Sequence, residues 1–269
     1  MKAAQSMPFL LQAAVLTDTG CVRERNEDAF LADVERGLFI VADGMGGRRG
    51  GDVAAHLAVK SVQAIIRERL ASGIAPRPED LDDLSGLLEG AAMAASKAIQ
   101  VEGLAKMEYL GMGAAIVAAL VAGGHVHIAH MGDSRAYLLR EDELRRLTDD
   151  HTIVGALLRH GEISPEEAVD HPARGRLTRF AGMEPTAEPS MRSVALEAGD
   201  RLVLCTDGLW GAVGDVEMGR ILSRPVGCDA ACRVLIDAGR AEGGEDNLTA
   251  VVVDVRSCPN DGNAEDEPR

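Results

Sequence analysis

Four aspartates in this 269-residue chain stand where a run of apolar residues meets a turn. Asp43 closes the run in GLFIVADGMGG (Gly37 to Gly47), and Asp207 closes the run in RLVLCTDGLWG (Arg201 to Gly211). Asp133 follows HVHIAHMG, and Asp246 stands just ahead of NLTAVVVDV. One Asp-Gly after a strand is an ordinary turn, because Asp bonds its own backbone and Gly accepts positive φ. Four such carboxylates gathered by a fold would be different chemistry. Two carboxylates about 4 Å apart repel by about 4 kcal/mol at an effective dielectric near 20, so a cluster needs protons or cations. An all-oxygen set without His or Cys suits hard ions, Mg²⁺ or Mn²⁺, rather than zinc.

Each acid needs an element to carry it. The runs Leu38 to Ala42, residues 201–205 and residues 248–255 predict buried strands, with further strands over 8–17 and Ala29 to Leu31. Gly111 to Ala122 and His125 to His130 flank Gly123-Gly124, a hairpin signal. Ala136 to Arg140 and Leu144 to Leu147 predict a second hairpin around a charged turn. Ala54, Leu57, Ala58, Val62, Ile65 and Ile66 repeat at helical spacing between Asp52 and Leu70. A second amphipathic helix is expected from about Glu79 to Val101, after breakers at Gly73, Pro76 and Pro78. Such a pair packs antiparallel on a sheet. Thr152 to His160 predicts a short helix, and Ser164-Pro165-Glu166-Glu167 carries helix-start signals. Residues 170–193 read as an irregular surface flap, followed later by helices over 215–223 and 229–241. Hairpins with helices inserted in pairs argue for antiparallel sheets covered by helices. A dinucleotide fold fails on its fingerprint, since Arg49 stands where the third Gly belongs.

Composition narrows the partners. Lys plus Arg number 28 against 43 Asp plus Glu, a net charge of −15. Such a body repels nucleic acid and anionic membranes. An anionic substrate would need a local reversal of that field, which bound metals supply. Aromatic residues are only 3%, so the core is built from Ala, Val, Leu, Ile and Met. Five scattered cysteines without a CxxC pair point to free thiols and a cytoplasmic location. The longest apolar run, Ala114 to Ala122, is too short to span a bilayer. The start of the chain reads as a first strand rather than a signal peptide. Residues 257–269 form an acidic stretch expected to be disordered.

In order and spacing, RERNED (Arg23 to Asp28), ADGMGG, GMGAA (Gly111 to Ala115), GDSR (Gly132 to Arg135), CTDGLWG and EDN resemble the protein phosphatase 2C family, bacterial single-domain branch. The likeness spans about residues 9–255. It implies an α+β, four-layer αββα fold, a central antiparallel β-sandwich flanked by helix pairs, with the catalytic domain over 1–256. It implies a metal-dependent serine/threonine phosphatase with two Mn²⁺ or Mg²⁺ per chain and room for a third. By matched position, Asp43 would bridge the ions and the Gly44 carbonyl would hold one. Asp207 and Asp246 would hold the other. Glu27 and Asp28 would support the centre, directly or through waters. Asp133 would serve the third, weaker ion, and Arg23 would bind phosphate. Residues 150–182 match a mobile flap. The implied reaction is direct attack of a metal-bridging water on phosphoserine or phosphothreonine in proteins. The chain would act as a cytoplasmic monomer opposing a serine/threonine kinase. Met45 stands where many relatives carry a proton-donating His, so no general acid is assigned. Ala114-Ala115 replaces residues that are frequently hydroxylic.

The remaining polar residues favour plainer roles. His125 and His127 read as a surface pair on one strand face, with His130 facing the other way. His151 reads as a solvated loop residue. Ser134 lacks a visible His–Asp arrangement. Arg174, Arg176 and Arg179 could meet substrate charges or simply solubilise the flap.

Overall fold

The computed structural model describes residues 9–46, 50–71 and 81–258. Among the described residues, ten strands form two five-stranded antiparallel sheets. The first contains β1 (Phe9–Asp18), β6 (Arg135–Arg140), β7 (Glu143–Arg146), β9 (Arg201–Cys205) and β10 (Leu248–Ser257), in the order β1-β10-β9-β6-β7. The second contains β2 (Asp28–Asp33), β3 (Leu38–Met45), β4 (Gly113–Ala122), β5 (His125–Met131) and β8 (Ser190–Ala195), in the order β2-β3-β4-β5-β8.

The central strands are continuously apolar because both their faces are covered. On β3, Phe39 and Val41 point between the sheets, while Leu38, Ile40 and Ala42 point into a helical layer. β10 divides likewise: Val251, Val253 and Val255 fill the sandwich, and Ala250 and Val252 meet the opposite helices. The helices α1 (Gly51–Ala71) and α2 (Leu81–Ala105) cover the second sheet with Ala54, Ala58, Val62, Leu88, Ala91, Ala95 and Ile99. Short side chains let these helices lie close to the strands. Beyond β7 come α3 (Ile153–His160) and α4 (Pro165–Val169). Thr152 caps α3 at the Gly155 N–H, and Ser164 and Glu167 form a capping box on α4. Three helices cover the first sheet: α5 (Asp207–Val213), α6 (Asp215–Leu222) and α7 (Cys228–Ala241). The expected four-layer αββα architecture is therefore observed.

Two elements depart from the sequence reading. The segment read as an irregular flap over 170–193 ends in strand β8, which pairs with β5 from His125↔Ala195 to His130↔Ser190. It is a half-exposed edge strand with Ser and Arg among its residues, so its alternation is weak. The Asp207-Gly208 turn continues as α5, whose seven residues span too few turns for a helical period to register. The expected breakers at Gly73, Pro76 and Pro78, and the acidic stretch beyond Cys258, lie outside the described residues.

Candidate metal centre

Register alone brings the first acids together. Asp28 faces Asp43 across the β2–β3 pairing, and Asp43 faces Ala115 across β3–β4. At Gly44, still within β3, the backbone packs against the start of α1. A side chain there would collide with the carbonyls of Gly51 and Glu27. The opposite sheet contributes the end of β9 and the start of its antiparallel neighbour β10. Asp207 follows β9, and Asp246 precedes β10. Gly208 packs against the Asn247 carbonyl so tightly that no larger residue fits. The Gly132 turn presses on Ala115, which places Asp133 over β4 and gives Ala115 a steric reason to be small.

Secondary contacts fix this end of the sandwich. The Asp28 Oδ2 accepts from Thr249 Oγ1 at 2.6 Å and Thr206 Oγ1 at 2.9 Å. The Asn247 side chain accepts from the Glu27 N–H at 2.8 Å and donates to the Thr19 and Arg25 carbonyls. Glu27 thereby docks beside Asp246. Asp43 and Asp207 lie close enough that each carboxyl affects the ionisation of the other. Arg23 reaches across to Asp246 at 2.7 Å.

These acids line one cavity of about 730 Å³, together with Arg23, Arg25 and Arg176. Asp28 is the exception, buried behind Asp43. Burial and then the neighbouring carboxylates push Asp43 and Asp133 well above the usual carboxylate range. Burial raises Asp207 as well. It pushes Asp28 up to about 7, against the opposing pull of its two Thr hydrogen bonds. Glu27 is raised too, by burial and then by Asp52.

The donor set suits hard divalent ions. Every candidate donor is oxygen, Asp28 Oδ1 is buried without a hydrogen-bond partner, and the crowded carboxylates require compensating positive charge. Among the described residues, no three of His, Cys, Asp or Glu gather closely enough to hold an ion by side chains alone. Mg²⁺-like ions do not require that, since they keep several waters and take one or two carboxylates each. The cavity leaves space for those waters.

Sequence reasoning missed the supports behind Asp133. The Arg135 guanidinium forks onto Asp150 at 2.8 and 2.6 Å. It also donates to Tyr137 Oη at 2.9 Å and lies 3.3 Å over the Trp210 ring. Trp210 Nε1 in turn donates to the Asp133 carbonyl at 2.8 Å. The only signals available were Arg135 within GDSR and the Asp149-Asp150-His151 triplet, whose partners lie elsewhere in the chain. Arg135→Ala leaves the buried Asp150 without its bidentate partner, with only Arg146 at 3.6 Å remaining. It is expected to lower stability by about 3–5 kcal/mol in denaturant unfolding. A loss below about 1 kcal/mol would show that the pair is not structural.

The histidines need correction. His151 is buried, not solvated. Its Nδ1 accepts from the Gly132 N–H at 3.2 Å, its backbone N–H donates to the Gly132 carbonyl at 2.9 Å, and its ring stacks on His130. Burial and adjacent cations push it down to about 3, so it is neutral. His127 is fully buried beside Ser193, because α2 covers that face of β5; only His125 keeps some exposure. They are not a surface pair. Of the three flap arginines, Arg176 lines the cavity. Arg174 bonds the Val169 carbonyl, and Arg179 bonds Glu188 and Ser190. The Ser134 hydroxyl is buried without a hydrogen bond.

Known proteins share this architecture. Residues 22–249 match the family described as Protein phosphatase 2C. The serine/threonine phosphatase stp of Listeria innocua is 38% identical over 247 residues, 91% of this chain and 96% of that protein. The Mycobacterium tuberculosis serine/threonine phosphatase PstP superposes with a TM-score of 0.82 at 36% identity, covering 91% of this chain and 99% of that one. A structure of the PstP catalytic domain in complex with two manganese ions gives 0.81 at 34% identity, covering 92% and 99%. No helix among the described residues is long and apolar enough to cross a membrane. With its two sheets, its outer helices and its carboxylates converging at one end, the chain belongs to the protein phosphatase 2C family.

Proposed function

We propose that this protein is a divalent-metal-dependent phosphatase acting on phosphoserine and phosphothreonine in proteins. The observation that carries the reading is the convergence of Asp43, Asp133 and Asp207, drawn from both sheets, on one cavity with Arg23 at its rim. Asp43, the Gly44 carbonyl, Asp207 and Asp246 are the groups that would hold two ions, Mn²⁺ or Mg²⁺. Asp133 with Asp207 would hold a third, and Glu27 and Asp28 would support the set. When bound, such ions supply Lewis acidity and an acidified water for phosphomonoester hydrolysis.

The chain's own residues do the rest. Arg23 presents a planar fork that binds phosphate oxygens in a bidentate manner. Its side chain is 57% exposed, so it can turn from Asp246 toward a substrate. Thr206 and Thr249 hold Asp28, which backs Asp43 across the β2–β3 pairing. Gly175, Arg176 and Leu177 wall the cavity on the flap side. Met45 lines the cavity and carries no proton to give, so no side chain is assigned as general acid.

The reading takes the chain as a cytoplasmic monomer opposing a serine/threonine kinase. Its buried thiols Cys205, Cys228 and Cys232 suit a reducing compartment. Phosphate release from a phosphothreonine peptide, measured with Mn²⁺, with Mg²⁺ and with a chelator, tests it. Turnover should require either cation and vanish on chelation. Full turnover in the chelator overturns the metal-dependent reading.

A further inference from the structure

A second cavity opens beside the first. It measures about 260 Å³, and Ile99, Leu104, Leu110, Met112, Phe180 and Met183 make its walls largely apolar. Phe180 is the partition, since it lines both cavities. It is held by firm neighbours. Ala181 exchanges two 2.9 Å hydrogen bonds with Ala114 of β4. The Gly182 N–H donates to Ser96 Oγ of α2 at 2.9 Å. Gln100 Nε2, also on α2, donates to the Met183 carbonyl and to Thr186 Oγ1.

Two of its lining residues, Leu104 and Leu110, belong to a set of exposed apolar residues at and just after the end of α2. Val101, Leu104, Met107 and Leu110 are 57%, 65%, 86% and 60% exposed. Single exposed apolar residues are ordinary, whereas exposed Leu104 and Leu110 on the walls of an apolar cavity mark a binding surface.

We infer that this second cavity is a subsite for an aliphatic or aromatic side chain of the phosphorylated polypeptide, near the phosphoresidue seated in the first. The inference rests on the phosphatase reading and names a feature of its substrate. A polypeptide entering the catalytic cavity must also leave it. At about 3.3 Å per extended residue, a side chain a few positions away crosses the width of one aromatic partition. A cavity of about 150 Å³ accommodates benzene, so this larger one has room for Leu, Met or Phe. Glu184 at its edge and the chain's net charge of −15 disfavour an acidic residue there.

The test walks a Leu-for-Glu exchange through about four positions on either side of phosphothreonine in a synthetic peptide, a range set by the reach of an extended chain. p-Nitrophenyl phosphate serves as a substrate too small to reach the subsite. At one or two positions Leu should raise kcat/KM about tenfold over Glu, mainly through KM. The double variant L104E/L110E alters exposed residues only. It should keep p-nitrophenyl phosphate turnover and lose the Leu advantage. The subsite is overturned if no position discriminates by more than about twofold, within the range of non-specific effects. It is equally overturned if the Leu preference survives in the variant, or if the variant changes only the sedimentation behaviour, which would make the patch an interface between copies. Absence of turnover on every substrate with every divalent cation sinks the phosphatase reading instead. Fluorescence anisotropy of the same peptides, Leu against Glu on wild type and variant, then still decides the subsite.

Discussion

Replacing Asp43 by Asn should lower kcat for phosphothreonine-peptide hydrolysis by about a thousandfold or more, by analogy with removal of one preorganised electrostatic contact. Asp43 is the acid most enclosed by others. Asp28 stands opposite it in register, and the Asp207 and Asp28 carboxylates both push its ionisation upward. Asn keeps the shape and one acceptor oxygen but removes the negative charge that would compensate a divalent ion. The fold should survive, because the substitution relieves repulsion inside a buried acidic cluster. In the metal-free state the unfolding temperature of the variant should equal or exceed that of the wild type. Calorimetric titration with Mn²⁺ should show weakened binding. A variant retaining about a tenth or more of wild-type kcat, far above the loss expected for such a contact, would remove Asp43 from the chemistry.

The second large effect concerns stability against pH. In the metal-free protein, folding should be weaker at pH 8 than at pH 5, opposite to the usual trend for paired carboxylates. Asp28 shows the sign. Its folded value is about 7 and its ordinary value 3.8, so between these limits the native state holds a proton that the unfolded chain has released. Its contribution is therefore present below about pH 4 and lost as pH climbs toward 7. The amount is on the order of 4 kcal/mol for this one group. Asp43, Asp133 and Asp207 are raised by the same burial and crowding and act in the same direction. Divalent cations should cancel the trend by neutralising the cluster. At about a hundred times their dissociation constant they add about 2.7 kcal/mol, or roughly 5–10 °C in Tm for a domain of this size. Denaturant unfolding at several pH values, with chelator and with Mn²⁺, reads both effects. Metal-free stability that rises from pH 5 to pH 8 would contradict the raised carboxylates.

Much of this protein was legible one stretch at a time. β3, β9 and β10 announced themselves as apolar runs because both their faces are covered, and a strand covered on both sides needs no alternation. Their ends announced the acids, since Asp-Gly both stops a strand and leaves a carboxylate at its lip. The Ser164-Pro165 start of α4 is a contact between residues three apart, so the chain states it directly. The order of six short motifs then named the family.

Other features depend on neighbours remote in the chain. β8 is a strand because β5 offers it an edge, and its own mixed residues did not declare it. α5 is too short to show a period. His127 is buried because α2 lies over it, and His151 because it stacks on His130 and grips Gly132; neither cover can be read from the residues beside them. The Arg135–Asp150 fork under Trp210 joins three separate segments. Residue types and spacing thus determined which groups could hold a divalent ion. Only the packing of the two sheets decided that Asp43, Asp133, Asp207 and Asp246 share one cavity, because the distance between side chains on different strands is set by register and glycine-mediated close approach, which no local pattern encodes.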